Sequence, residues 1–323
     1  MTTNHYQDTL TKMENYILWT AQCSAAEEKI HKALRFAGVK PVGIVVIGSG
    51  GVGKTVLVEK VAEELCKENV ELEDRTLMPI LSITAPSSGR ENALHTLMLN
   101  KLGHLNSKSI KPSDRARVID HLLIELGVKL IIVDEVHDSL PETVRGKVKP
   151  AFSYLKQLMD RTKIPIILIG TEKAENIYAM GAEIGTRFRT RIKLLPFGFG
   201  NKDAEWLPFA EIASKLATLL PLKKPLSFLC FEKDECNNYQ FSTKLNDKKL
   251  LIRLYFATQG LHRNLKDFFM NINADLIDNP NLKITLDYLS NVYENMEYMN
   301  ESISGNPFTM DVETMERQMF KNS

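Results

Sequence analysis

The sequence predicts an α/β fold, a three-layer αβα core on a parallel sheet followed by a helical region, and three observations lead there. Short runs rich in Val and Ile alternate with segments of helical period. A glycine-rich turn joins the first such run to a helix. Beyond Lys202 the apolar runs stop and helical periodicity alone continues. Strands that alternate with amphipathic helices make βαβ units, whose sheet is covered on both faces.

Taken in order, residues 5–37 read as helical, because Tyr16, Ile17 and Trp19, then Ile30, Ala33, Leu34 and Ala37, recur near a spacing of three and four. Gly38 ends that stretch, and Pro41–Ile47 fits a buried strand. Helical period returns over Lys54–Lys67 through Val58, Val61, Ala62 and Leu65. Met78–Ala85 reads as a strand, and Ser88–Leu102 as a helix with Leu94, Leu97, Met98 and Leu102 on one face. Arg115–Leu126 and Val148–Arg161 read as helices; Lys129–Val133, Ile164–Ile169 and Arg191–Phe197 read as strands. The crossovers between parallel strands should be right-handed. Helices are then expected over Ala204–Leu220, Lys248–Gln259 and Leu261–Ile277, with no further apolar strand. Residues 222–247, rich in Lys, Asn and Asp, read as an irregular insertion, and Asn300–Ser323 as a poorly ordered tail. The expected divisions are an N-terminal helical segment 1–39, a core 40–200, a helical region 201–299 and the tail 300–323.

Composition narrows the class. With 44% hydrophobic and 25% charged residues, the 323-residue chain has an ordinary globular balance. Its net charge of +1 means that any nucleic-acid contact must come from local clusters. Cys23, Cys66, Cys230 and Cys236 are too scattered for a disulfide framework, and no second close pair completes a zinc site around Cys230 and Cys236. No apolar stretch is long enough for a membrane span, and Met1–Glu14 lacks the apolar centre of a signal peptide. A reduced, cytoplasmic protein is expected.

The chemistry starts at Gly48-Ser49-Gly50-Gly51-Val52-Gly53-Lys54-Thr55, which matches the phosphate-binding pattern G-x-x-x-x-G-K-S/T. Glycines let the backbone turn tightly, so that successive N–H groups point at phosphate oxygens. The helix opening near Lys54 adds its positive end. Lys54 is expected on the β- and γ-phosphates of ATP, with Val56 completing the binding set, and the Thr55 hydroxyl on Mg²⁺. Leu130–Val133 then ends in Asp134-Glu135, an acidic pair at the carboxyl edge of the sheet, where open α/β sheets bind ligands. Asp134 suits the Mg²⁺ shell and Glu135 the general base that activates water. Ile166-Ile167-Leu168-Ile169-Gly170-Thr171 reads as a strand that ends in a small polar residue, and Thr171 fits two roles equally, a contact to water or γ-phosphate or a simple helix cap. Arg187, Arg189 and Arg191 alternate, which sets them on one side of an extended segment. There they suit either an arginine finger on a neighbouring subunit's γ-phosphate or a solvated basic edge.

At these residues the chain resembles the AAA+ ATPases of the TnsC/TniB type, regulators of DNA transposition. The likeness rests on Gly48–Thr55, the strand–Ser/Thr–helix stretch Pro79–Gly103, Asp134-Glu135-Val136-His137, Ile169-Gly170-Thr171, and Arg187–Phe197 with its Leu-Pro-Phe. It extends to a helical region containing Gly260-Leu261-His262-Arg263. The resemblance implies an AAA+ core with a helical lid, Arg263 or His262 in the lid's nucleotide-sensing place, and an ATP-dependent oligomer on double-stranded DNA. It also implies a link between a target-selection protein of the TnsD/TniQ type and a DDE transposase, in a nucleoid-associated bacterial protein. Chains of about this length are similar to those of CRISPR-associated transposons.

Two basic clusters are candidates for DNA: Arg90, Lys101, Lys108, Lys111, Arg115 and Arg117, and then Arg145, Lys147 and Lys149. Phosphate contact needs such charge and no base-reading code, while a solvated face needs nothing more than the same residues. A replication-initiator or helicase-loader ATPase would share the fold and the site. A signalling ATPase that switches and barely hydrolyses would share them too. A ParA-like partition ATPase requires a lysine where this chain has Ser49.

Overall fold

The computed structural model describes residues 2–67, 77–104, 109–140, 150–179, 182–198, 203–222, 228, 230–233, 239–242, 245–296 and 305–321. Five strands form its sheet: β1 (Ile44–Ile47), β2 (Ile80–Thr84), β3 (Leu130–Asp134), β4 (Ile166–Gly170) and β5 (Thr190–Lys193). They lie in the order β2-β3-β4-β1-β5, and every pairing is parallel. The first helices are α1 (Thr2–Glu14), α2 (Ala21–Leu34), α3 (Lys54–Lys67), α4 (Glu91–Lys101), α5 (Pro112–Glu125), α6 (Pro150–Thr162) and α7 (Ala182–Arg187).

The chain divides into two compact units, one of Trp19–Leu195 and one of Met1–Leu18 with Pro196–Ser323. In the first, Val45, Ile47, Leu81, Ile131, Val133, Ile166 and Leu168 share one core with Leu94 and Met98 of α4, Leu123 of α5 and Leu158 of α6. The alternate residues Ile44, Val46, Leu130, Ile132, Ile167 and Ile169 are buried as well. Successive strand side chains point to opposite faces, so both faces of the sheet are covered. This explains why β1, β3 and β4 are continuous apolar runs, whereas the edge strands β2 and β5 alternate in burial. α2 packs on α3, while α4 packs on α5 and α6. Truncating one such buried Leu or Ile costs about 2–5 kcal/mol.

The second unit holds α1, α8 (Asp203–Thr218), the hairpin strands β6 (Cys230–Lys233) and β7 (Tyr239–Ser242), α9 (Leu245–Thr258), α10 (His262–Asp278), α11 (Leu286–Glu294) and α12 (Val312–Lys321). Met13 joins Trp206, Phe209, Leu251, Leu265, Phe268 and Phe269 in its core.

Three expectations are corrected here. Residues 5–37 are not one helix: Thr20 is extended, with φ −110° and ψ 165°, and caps α2 by accepting from Cys23 N. A Thr that satisfies an orphan N–H starts a new helix, so the apolar Tyr16, Ile17 and Trp19 lie between helices. Residues 222–247 are not wholly irregular, because Cys230–Lys233 pairs antiparallel with Tyr239–Ser242. The alternation Phe231-Glu232-Lys233 against Tyr239-Gln240-Phe241 is strand-like, but it is short and set among Lys, Asn and Asp. The tail contains α12, and Phe308 and Met315 are buried. Phe308 stacks on Phe268 with ring centroids 5.5 Å apart, and Arg253 Nη1 donates to Met310 O at 2.8 Å.

Candidate active site

The site sits where β1, β4 and β3 end side by side. Ile47 is in register with Gly170, and Val133 with Leu168, so Thr171 emerges between the glycine loop after β1 and Asp134 at the end of β3. The loop's shape depends on its glycines. A Cβ on Gly48 would stand 2.3 Å from Leu194 O, and Gly51 and Gly53 take φ of 77° and 92°. An L side chain at either is strained. α3 begins at Lys54, so the loop runs straight into a helix N-terminus.

Lys54 Nζ donates to Gly48 O and Ser49 O, each at 2.8 Å, and so lies across the loop. Thr55 Oγ1 donates to Asp134 Oδ2 at 3.3 Å. Asp134 is half-buried, and its other oxygen accepts from Glu135 N at 2.7 Å. Glu135 is exposed and left-handed, with φ 53° and ψ 36°. That conformation costs a non-glycine residue about 1–2 kcal/mol, and such strain clusters at functional sites. The buried hydroxyls of Ser49 and Thr171 have no hydrogen-bond partner among the described residues. A glycine loop with no room for a Cβ at Gly48 and left-handed backbone at Gly51 and Gly53, two unpartnered hydroxyls and a Thr–Asp oxygen pair fit a polyphosphate and a hard divalent cation.

His137 of the Asp-Glu-Val-His signature, the next candidate for the base after Glu135, ties the site together. Its Nδ1 is 3.1 Å from Glu135 Oε2, and Thr171 N donates to the same Nδ1 at 3.5 Å. Gln22 gave no sequence signal. Its amide accepts from Leu195 N and donates to Leu195 O, both at 3.3 Å, and so brackets the chain beyond β5.

The three arginines do not share one extended segment. Arg187 is the last residue of α7, and only Arg191 lies in β5. Phe188, which separates Arg187 from Arg189, is fully buried, so the helix end turns here to seat the ring. Arg187 Nε pairs with Asp160 Oδ1 at 3.0 Å. Arg191 pairs with Glu175 and lies over the Tyr178 ring. Beside them, burial pushes the Tyr178 phenol up to about 12. Arg189 is exposed and has no ion-pair partner among the described residues. It shares a small cavity of about 170 Å³ with Lys40, Pro41, Val42, Thr186 and Arg187. Arg263 lies in the first turn of α10, in the other unit, and is exposed.

Of the basic clusters, Arg90, Lys101, Lys111 and Arg117 are exposed. Arg115 is half-buried and turned inward, donating to Ile110 O at 3.2 Å and Thr96 Oγ1 at 3.3 Å. Lys108, Arg145, Lys147 and Lys149 lie outside the described residues. On α2 and α3, Glu27, His31 and Glu64 bring possible metal-ligand atoms within 4.8 Å of one another. Lys60 already pairs with Glu27 at 3.0 Å, and His31 with Glu64 at 3.1 Å.

The strand order and the glycine loop define the class, an AAA+ P-loop fold. Solved structures agree at the level of fold. The ORC2 protein of Aeropyrum pernix, in ADPNP–ADP complexes, is similar at TM-score 0.55 and 13% identity, covering 87% of this chain and 70% of its own. The ORC1 protein of the same organism, in complex with DNA, gives 0.53 and 14%, covering 85% and 64%. None of the curated proteins compared with the chain matches it. The family model of the bacterial TniB protein matches residues 7–196, more than half of the chain, and the chain belongs to that family.

Proposed function

We propose that this TniB-family protein is an ATP- and Mg²⁺-dependent ATPase that oligomerises on double-stranded DNA and links a target-selection protein of the TnsD/TniQ type to a transposase. The observation that carries the nucleotide reading is the meeting of Thr55 with Asp134 beside a loop spanned by Lys54. Gly48–Val56 would hold the phosphates through backbone N–H groups, with Lys54 exchanging loop carbonyls for phosphate oxygens. Thr55 and Asp134 would hold the cation, which when bound neutralises charge on the β- and γ-oxygens. Glu135 would take the proton of the attacking water. Thr171, between the two motifs, would feel the γ-phosphate. Arg189 is the best placed of the three arginines to act on a neighbouring subunit, because Arg187 and Arg191 are engaged within their own. By the family resemblance, Arg263 of the helical unit would serve as the nucleotide-sensing residue.

The DNA reading rests on family membership and on Arg90, Lys101 and Lys111, exposed around α4 and the start of α5. A loader or initiator role would use the same site, and the likeness to the ORC proteins reaches the fold alone. The test is steady-state ATP turnover with and without duplex DNA. A DNA-bound regulator hydrolyses faster with duplex, whereas turnover indifferent to duplex would point to a nucleotide switch.

A further inference from the structure

Resting on that ATPase reading, we propose that His137 is a positioning residue that holds the Glu135 carboxylate in check and releases it according to the state of Thr171. One ring nitrogen has two claimants. Glu135 Oε2 stands 3.1 Å from His137 Nδ1, and the Thr171 backbone N–H points at the same atom from 3.5 Å. A neutral imidazole nitrogen is a donor or an acceptor, never both at once. With its proton on Nδ1, the ring donates to Glu135 and turns Thr171 N–H away. With its proton on Nε2, near Asp138 Oδ1 at 3.7 Å, the ring accepts from Thr171 and presents a lone pair to the carboxylate. The two arrangements exclude each other, so whatever fixes Thr171 N–H decides whether Glu135 is held.

The frame around the ring makes this coupling stiff. Gly170 is wedged between the turn that follows β4 and the turn after β3: a Cβ there would stand 2.8 Å from Ala174 Cβ in the first and 3.0 Å from Val136 Cγ2 in the second. A displacement at the end of β4 is therefore passed to the His137 backbone. Thr171 Oγ1 is buried with no hydrogen-bond partner among the described residues, which leaves it free to take one when a phosphate oxygen or water arrives. Glu135 is meanwhile exposed on a strained backbone, so among the described residues it is the His137 contact that restrains its carboxylate.

The test is ATP hydrolysis by the full chain without DNA, as kcat and KM, for wild type, His137→Ala, His137→Phe and His137→Asn, each also in the Glu135→Gln background. Losing the restraint should raise kcat roughly fivefold in His137→Ala with KM nearly unchanged, the shift that one hydrogen bond of ordinary net strength supports. His137→Phe keeps the ring volume without a donor and should match it, which separates the effect from a cavity. His137→Asn keeps an N–H donor and should return kcat to the wild-type level. In the Glu135→Gln background none of the three should matter, because His137 acts through that carboxylate. A kcat for His137→Ala and His137→Phe at or below wild type, or the same rise with Glu135→Gln, overturns the proposal. If the wild type neither binds nor hydrolyses ATP, the ATPase reading falls first and takes this with it. Wild-type turnover that ignores His137 sinks only the role of His137.

Discussion

Thr55 Oγ1 lies 3.3 Å from Asp134 Oδ2, although 79 residues separate them. The contact follows from the topology. β1 and β3 flank β4 in a parallel sheet, so the loop after β1 and the last residue of β3 end at one edge. The two oxygens that face each other there, with Lys54 alongside, are the donors proposed above for a divalent cation.

Lys54→Ala should therefore abolish binding of a fluorescent ATP analogue, because the phosphates lose their mobile cation. Asp134→Asn should weaken binding mainly in the presence of Mg²⁺. Equilibrium titrations with and without the metal separate the two, and near-normal affinity for Lys54→Ala would remove the P-loop assignment.

Glu135→Gln preserves shape and removes the base. Analogue binding should persist while turnover falls by about 10²-fold or more, the usual weight of general-base catalysis. Steady-state phosphate release reads this directly, and undiminished turnover would move the base elsewhere.

Arg189→Ala should leave analogue binding intact and remove DNA-stimulated turnover, because in the proposed assembly its target lies across a subunit boundary. Arg191→Ala should act differently. It deprives Glu175, whose carboxyl the Arg191 hydrogen bond and then the nearby positive charges hold below its usual range, of its main partner. Turnover assays at rising protein concentration distinguish the two, since only the Arg189 defect should be relieved by mixing with Glu135→Gln subunits that supply an intact arginine.

Acid should destabilise the first unit through His95. This ring is buried against Tyr154, 4.2 Å between centroids; its nitrogens make no hydrogen bond among the described residues, and Glu91 Oε1 stands 3.6 Å from Nε2. Burial first, then the positive charges of Arg115 and Arg161, push its pKa down to about 4, against a partial upward pull from Asp120. The unfolded chain, titrating near 6.5, binds the extra proton first. Stability must then fall as pH drops from about 6.5 towards 4 and level off below. Thermal midpoints across that range should drop more in wild type than in His95→Leu; equal drops would contradict the assignment.

Much of this could be read from residues, and the exceptions have physical causes. Pro41–Ile47 and Lys129–Val133 announce buried parallel strands because both faces need apolar side chains, and Gly48–Thr55 announces itself because backbone geometry dictates glycine. The hairpin at Cys230–Lys233 was hidden because two short strands leave little periodicity. The break before α2 depends on one Thr20 cap, a local hydrogen bond that competes with helical period and wins. His137 was legible as a letter in a signature, but its sharing between Glu135 and Thr171 needs β3 and β4 side by side. The inward turn of Arg115 could not be separated from an exposed, DNA-facing arginine by sequence, since charge alone says nothing of direction.

The DNA surface allows a graded test. If exposed lysines around α4 and α5 touch phosphates, Lys101→Gln with Lys111→Gln should flatten the dependence of log affinity on log salt by up to about two units, roughly 0.9 for each lost contact. ATP affinity should not change. An unaltered slope would make this face merely solvated.

The central claim is that ATP-bound subunits assemble along duplex DNA, and electron microscopy of the chain with duplex and a non-hydrolysable ATP analogue tests it most directly. The account predicts rings or helical filaments enclosing the duplex, present with the analogue and lost with Lys54→Ala. Bare duplex beside dispersed protein under those conditions, with analogue binding demonstrated in the same sample, would contradict it.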